Sequence, residues 1–269
     1  MKLAFSTLGV PGTPIDEVVR LAVEHGYQGV ELRAHPEEPV HPGLSATERA
    51  QVVEEFARGG VQILTVAGYV RVAAEGEDEA VVAQVAELVT LARDLGAPYV
   101  RVFPGGGDQD PEAADAAAAR RLGAAAARAV DQGVTILLET HDSHRAGADA
   151  ARVVGTVGHA GVGVIWDVMH TWLSGESPLD SHLVLAPYLG YVQVKDIASA
   201  EDTTPLALGE GVLPLAACLD TLAPDTWVCW EYEKRWYPQV PELPGLLAAG
   251  REFLLRVGAP KQEGPGAGA

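Results

Sequence analysis

Cysteine is nearly missing from this chain of 269 residues. Only Cys218 and Cys229 occur, too few for a disulfide framework and without the paired spacing of a zinc site. A reducing cytoplasm is the expected setting. No apolar run reaches the roughly 20 residues of a membrane span, and the start, MKLAFSTLGV, turns polar too early for a secretory segment. Basic residues are scarce as well. Lys and Arg number 19 against 37 Asp and Glu, a formal charge of -18, whereas nucleic-acid binding draws its affinity largely from Lys and Arg that replace counterions. Nucleic acid and membrane are therefore disfavoured as partners, and a small molecule is expected. A GxGxxG turn is also lacking: Ser6 to Gly12, after the first apolar run, does not have the spacing of a dinucleotide site.

What is present is alternation. Short apolar or β-branched runs at Lys2 to Thr7, Gly29 to Arg33, Val61 to Val66, Tyr99 to Phe103, Val134 to Glu139, Val162 to Asp167, Tyr191 to Lys195 and Trp227 to Glu231 are separated by stretches of helical period. Thr13-Pro14, Asp110-Pro111 and Ser177-Pro178 each put a capping oxygen before a proline at a helix start, and Ser45 with Glu48 reads as a capping box. Eight such units with 48% hydrophobic residues predict one α/β domain, a (β/α)8 TIM barrel over residues 1–258. Residues 259–269, rich in Gly, Pro and Ala without an apolar face, are expected to be a disordered tail. A homodimer is expected.

In such barrels the active site lies at the C-terminal ends of the strands. Four consecutive predicted strands finish on oxygen-bearing side chains that a period of two can turn inward: Glu139, Asp167, Gln193 and Glu231. A carboxylate buried there without a partner costs several kcal/mol, so three that converge require a cation. A helix cap is the competing role for any one of them. Glu233 has the parity of Glu231 and rivals it as the fourth ligand. Glu31, Arg33 and Arg101 also end strands, where a structural Glu31 to Arg101 pairing competes with substrate binding. Lys195 shares the parity of Gln193 and could hold a substrate oxygen, or pair with Asp196 on the rim.

The pieces Gly29 to Arg33, Tyr99 to Gly106, Glu139-Thr140-His141, Asp167-Val168-Met169-His170, Val192 to Asp196 and Glu231 to Trp236 resemble, in order and spacing, the xylose isomerase-like TIM barrels, a group of sugar phosphate isomerases and epimerases that includes AP endonuclease family 2. That resemblance implies one divalent ion held by Glu139, Asp167, Gln193 and Glu231, where the family's commonest third ligand is His. An amide oxygen in its place makes an all-oxygen site, which suits Mg²⁺ or Mn²⁺ better than Zn²⁺. Gly209-Glu210-Gly211 offers no Asp-x-His pair, so the three-zinc endonuclease arrangement is not expected.

The chemistry implied is removal of a proton next to the carbonyl of a small sugar or polyhydroxylated ketone, with Glu139 and Glu231 as bases and His170 on the oxygen that gains charge. Return of the proton gives a metal-dependent isomerase or epimerase, the first expectation. Loss of a β-hydroxyl from the same intermediate gives a dehydratase of the 3-dehydroshikimate or inosose type. His141 and His144 resemble the histidine of the dehydratase branch, whose third ligand can also be Gln. Lys195, Arg101, Glu31, His141 and Trp236 are the expected substrate contacts, with Tyr237 beside Trp236. A barrel that binds a metabolite without turnover keeps the same architecture.

Overall fold

The computed structural model describes residues 1–259. The expectation made for the tail falls, from residue 260 on, outside the described residues. Eight parallel strands close into one barrel in sequence order, with β1 (Lys2–Ser6) bonded to both β2 (Gly29–Arg33) and β8 (Trp227–Trp230). The other strands are β3 (Gln62–Arg71), β4 (Tyr99–Phe103), β5 (Thr135–Glu139), β6 (Val162–Asp167) and β7 (Leu189–Val194). The fold is the (β/α)8 TIM barrel. Among the described residues no helix is long and apolar enough to cross a membrane.

Helices α1 (Ile15–His25), α2 (Ala46–Gly59), α3 (Asp78–Leu95), α4 (Pro111–Asp131) and α5 (Gly147–Val157) each follow one strand. Between β6 and β7 stand two short helices, α6 (Val168–Leu173) and α7 (Pro178–Leu185), while α8 (Leu215–Leu219) is brief and α9 (Leu247–Val257) closes the ring. Asp110 and Ser177 cap as their sequence implies, and Ser45 with Glu48 forms the reciprocal capping box. Thr13 does not cap. Helix α1 starts at Ile15, which makes Pro14 the cap residue, and no side chain takes up the free amides.

Two apolar layers flank the strands. Between sheet and helices lies the large core, which includes Val30, Val66, Val100, Leu122 and Trp166. Inside the barrel Ala4, Leu64, Leu137, Ile165, Tyr191, Trp227 and Cys229 form a plug, the filled interior typical of this fold. One step of two residues along β5 to β8 leads from that plug to Glu139, Asp167, Gln193 and Glu231. The plug is the floor of the site.

Strand β3 is longer than its sequence suggests. It continues past Val66 through Ala67-Gly68 to Arg71, and its register with β4 shifts between Ala67 and Arg71. Gly68 permits this because a Cβ there would stand 2.2 Å from Leu88 of α3, closer than side chains approach. The extension carries Tyr69 to the barrel mouth.

Asp196, just beyond β7, faces away from Lys195 and makes no pair with it. Its carboxylate accepts the amides of Ile197 (3.1 Å), Gly209 (2.9 Å), Gly211 (3.0 Å) and Leu213 (3.2 Å), folding the loop before α8 onto the barrel. Alternation explains the difference, since neighbours along a strand point to opposite faces. Asp196→Ala is expected to lower stability by about 2–4 kcal/mol in urea denaturation, because it strands several buried amides at once.

Candidate metal centre and active site

Each proposed ligand is set by its strand. Glu139 is the last residue of β5 and Asp167 the last of β6, where Asp167 lies in register with Gln193 of β7. Glu231 follows β8 and is tied down by its amide, which donates to Val194 O at 2.9 Å. All four are buried. Asp167 does cap α6, accepting from the amides of Met169 (2.8 Å) and His170 (3.3 Å), but only through Oδ1. Its Oδ2 turns inward.

Ligand oxygens of Glu139, Asp167 and Glu231 lie within 4.8 Å of one another. Oxygens that share one hard cation at its usual bond lengths stand no more than about 4–5 Å apart, so the spacing fits a common ion. Gln193 Oε1 is buried and has no hydrogen-bond partner, a state that a cation would relieve. Glu233 is not in this group; it takes Lys195 Nζ at 2.9 Å. A second group that meets the same spacing is Glu139, His141 and His170.

Charge gives an independent test. Glu31, Glu139, Asp167 and Glu231 are buried with only Arg101 and Lys195 as buried cations among them. With all four carboxyls ionised, two negative charges are left over, the amount one divalent ion neutralises; burial raises Glu31 and Glu139, so without a cation a proton takes up part of that charge. Arg101 donates to Glu139 (3.2 Å) and Glu231 (3.1 Å), and also to Gly68 O. The expected Glu31 to Arg101 pair is absent: Glu31 instead accepts from the Tyr191 hydroxyl and from Gln193 Nε2 at 3.0 Å. Arg33 pairs with Glu38 and donates to the Tyr69 hydroxyl at 2.7 Å. Lys195 Nζ stands 2.7 Å from Asp167 Oδ2 and 2.5 Å from Glu231 Oε2.

The two glutamates respond oppositely to this setting. Burial, reinforced by Glu231 and Asp167 against the pull of Arg101, pushes Glu139 up to about 8. Burial would also raise Glu231, but Lys195 and Arg101 outweigh it and hold that carboxyl below its usual range. Lys195 is lowered by burial, yet Asp167, Glu231 and Glu233 raise it well above the ordinary lysine value.

Two histidines cover the carboxylates. The His141 and His170 rings lie 4.1 Å apart, and Phe103 packs on His141 at 4.6 Å with Tyr69 behind it at 5.7 Å. Burial, with His141 and Lys195 nearby, drives His170 well below the usual histidine value. Burial acts the same way on His141, but Asp142, whose Oδ1 is 2.8 Å from Nδ1, and Glu139 prevail and raise it. Asp142 itself has φ of 45°, a left-handed backbone of the kind that clusters at functional sites. His144 turns the other way, onto Asp115 of α4 at 2.8 Å. Trp236 is 51% exposed at the rim, its ring 5.5 Å from the Arg33 guanidinium, and among the described residues no ring contact links it to the carboxylates. Tyr237 bonds Thr203 at 2.8 Å.

Tyr69 and Phe103 were not singled out by sequence. Phe103 ends a predicted strand and has no role assigned to it from sequence. Tyr69 carried no signal, because the third strand read from sequence ends at Val66.

Comparison with known proteins adds three findings. The profile of the xylose isomerase-like TIM barrel family matches residues 19–257. A 3-dehydroshikimate dehydratase of Bacillus anthracis is 23% identical over 190 residues, 69% of this chain and 67% of that protein. Among solved structures, a probable 3-DHS dehydratase from Bacillus anthracis superposes with a TM-score of 0.80 at 19% identity over 94% of this chain and 98% of its own. D-psicose 3-epimerase of Clostridium cellulolyticum H10 gives 0.83 at 16% identity over 96% and 99%. The IOLI protein, solved with a bound zinc atom, gives 0.80 at 19% over 96% and 98%.

The Glu139 carboxyl and a cation compete for the same oxygen, so binding is expected to release a proton below pH 8. The apparent Kd for Mn²⁺, measured by calorimetry from about pH 6 to about pH 9, should fall by up to about tenfold per unit up to the Glu139 value of about 8 and level off above it. Glu139→Gln and Asp167→Asn should each abolish binding; unchanged metal content in both refutes the centre.

Proposed function

The chain belongs to the xylose isomerase-like TIM barrel family, and on that premise we propose that it is a divalent-metal-dependent dehydratase of a small polyhydroxylated carbonyl compound of the 3-dehydroshikimate type. The observation that carries this reading is the pair of histidines side by side over Glu139, with opposite affinities for a proton. Neighbouring groups whose surroundings push their proton affinities apart supply an acid and a base at the same pH.

Exposure says where the substrate meets the site. The His141 side chain is 29% exposed and that of Glu233 18%, while Glu139 and Asp167 are at 1% and 0%. A ligand therefore enters across the histidines, with the carboxylates beneath it. A divalent ion held by Glu139, Asp167, Gln193 and Glu231 would polarise the carbonyl and acidify the adjacent C–H. His170 Nε2, buried and without a hydrogen-bond partner, accepts that proton. The C–H electrons form a carbon–carbon double bond as the β-hydroxyl departs. His141, whose hold on a proton is raised by the Asp142 carboxylate, donates the proton with which the hydroxyl leaves as water. Rings only 4.1 Å apart suit departure of both groups from one face. Arg101 is fully engaged by Glu139, Glu231 and Gly68 O, and its part is to balance the charge of the carboxylates. Lys195 does the same for Asp167 and Glu231.

Epimerisation or isomerisation, the first expectation from sequence, would use Glu139 and Glu231 on opposite faces of the substrate. Both carboxylates belong to one cluster beneath the histidines, and Glu231 is clamped by Lys195 and Arg101, so this reading has less support. The dehydratase relative favours the same order.

Incubation with 3-dehydroshikimate and Mg²⁺ or Mn²⁺ should produce an ultraviolet band as loss of water makes the ring aromatic. His170→Asn and His141→Asn should each lower kcat by roughly 10²–10⁴-fold, with KM and Mn²⁺ affinity changed far less. Epimerisation of a ketohexose without dehydration of 3-dehydroshikimate would overturn the reading in favour of the epimerase. Binding of either without turnover would leave a metabolite-binding barrel.

A further inference from the structure

We propose that Glu31 is a positioning residue that fixes the orientation of the Gln193 amide, so that its oxygen and not its nitrogen is offered to the metal. This rests on the reading of Gln193 as a ligand. A side-chain amide has two ends of nearly equal shape and opposite polarity, and a turn of its last torsion exchanges them. Offered to a cation, the oxygen binds and the NH₂ repels. A ligating glutamine therefore needs something else to choose its rotamer.

Glu31 is placed to make that choice. Its carboxylate can only accept hydrogen bonds when ionised, and Oε2 accepts from Gln193 Nε2 at 3.0 Å. The same nitrogen donates to Glu231 Oε1 at 3.2 Å. Both amide hydrogens thus have carboxylate partners, while Gln193 Oε1 has no hydrogen bond and is buried. The opposite rotamer would bring Oε1 against Glu31 Oε2 at the distance of a hydrogen bond with no hydrogen between them, a repulsive contact in a setting of low polarisability.

The fold reinforces the arrangement. The register of β2 against β3 shifts between Val30 and Glu31, and an irregularity of this kind re-aims the side chain beside it. Tyr191, two residues before Gln193 on the inward face of β7, donates its hydroxyl to the same Glu31 oxygen. With Glu31 and Gln193 both fully buried, neither can turn to water instead. The arrangement parallels metal-ligating histidines, whose second nitrogen is commonly held by a carboxylate. Glu31 is then part of the metal centre's support and not a substrate contact.

Mn²⁺ affinity of the full chain, measured by calorimetry beside circular dichroism as a check of folding, tests the proposal. Glu31→Leu removes the acceptor and should weaken Mn²⁺ by about 10–100-fold. Glu31→Gln keeps an oxygen at the acceptor position but gives up one of the buried charges, and should weaken Mn²⁺ clearly less than Glu31→Leu. Native affinity in the leucine variant would overturn the proposal, and so would equal losses in both, since charge and not orientation would then be responsible. If the leucine variant does not fold, Glu31→Asp withdraws the oxygen by one methylene and should weaken Mn²⁺ by about tenfold; native affinity there also overturns it. Asp167→Asn separates the two levels. Loss of Mn²⁺ in Asp167→Asn with none in Glu31→Leu or Glu31→Asp removes only the orienting role, whereas native binding in Asp167→Asn takes the metal centre and the proposal down together.

Discussion

The constraint on which the rest depends is the concentration of negative charge beneath the barrel mouth. Glu31, Glu139, Asp167 and Glu231 are buried together, and ionised carboxylates out of water cost several kcal/mol apiece unless paired. Arg101 and Lys195 answer half of that charge, each bridging two carboxylates. The remainder selects between a proton and a metal ion. Burial raises both Glu139 and Glu31 toward holding a proton, while Glu231, between both cations, is held below its usual range. On the proposed reading, the same imbalance that would destabilise an ordinary core becomes affinity for a divalent cation.

Barrel geometry makes the concentration unavoidable once the residues are chosen. Strand residues two apart face the same side, so the apolar plug of Leu137, Ile165, Tyr191 and Cys229 is topped one step later by Glu139, Asp167, Gln193 and Glu231. The plug excludes water from below, which strengthens every electrostatic contact above it. It also explains why Tyr191 appears at that level. Its ring belongs to the plug and its hydroxyl to Glu31, so the apolar floor and the polar site are joined through one side chain.

Period two and strand order were enough to read the strand-end acids, Gln193 and Lys195 from sequence, because both rules are local. Partnerships were not local. Arg101 pairs with Glu139 and Glu231, which lie 38 and 130 residues away, and which carboxylate it meets depends on how strands stagger around the ring. The period of two already turns Asp196 away from Lys195, but the loop amides of Gly209 and Gly211 that it accepts lie 13 and 15 residues further on. His141 and His144 were indistinguishable by type. Across a left-handed Asp142 the first packs on His170 and the second bonds Asp115. Tyr69 was hidden because the strand read from sequence stops at Val66, whereas it continues through Gly68, a close approach to Leu88, to Arg71.

The site divides by depth, and the division has a chemical reason. Groups that hold charge must be immobile and dry: the ligand carboxylates, Gln193, Arg101 and Lys195 are all nearly inaccessible. Above them stand the two histidines, His141 with its side chain 29% exposed and His170 with a buried Nε2, with Phe103 and Tyr69 as an aromatic wall; on the proposed reading these are the groups that exchange protons with a substrate. Glu139 lies at the boundary, since it belongs to the carboxylate cluster and, with His141 and His170, also to the group above. A proton on Glu139 weakens the hold on a cation and removes the negative charge that helps keep His141 protonated. On the proposed reading a bound ion would neutralise the same charge from the other side, so the acid–base state of the histidines would be linked to the centre through this one carboxylate. Chemistry above and binding below cannot be tuned independently.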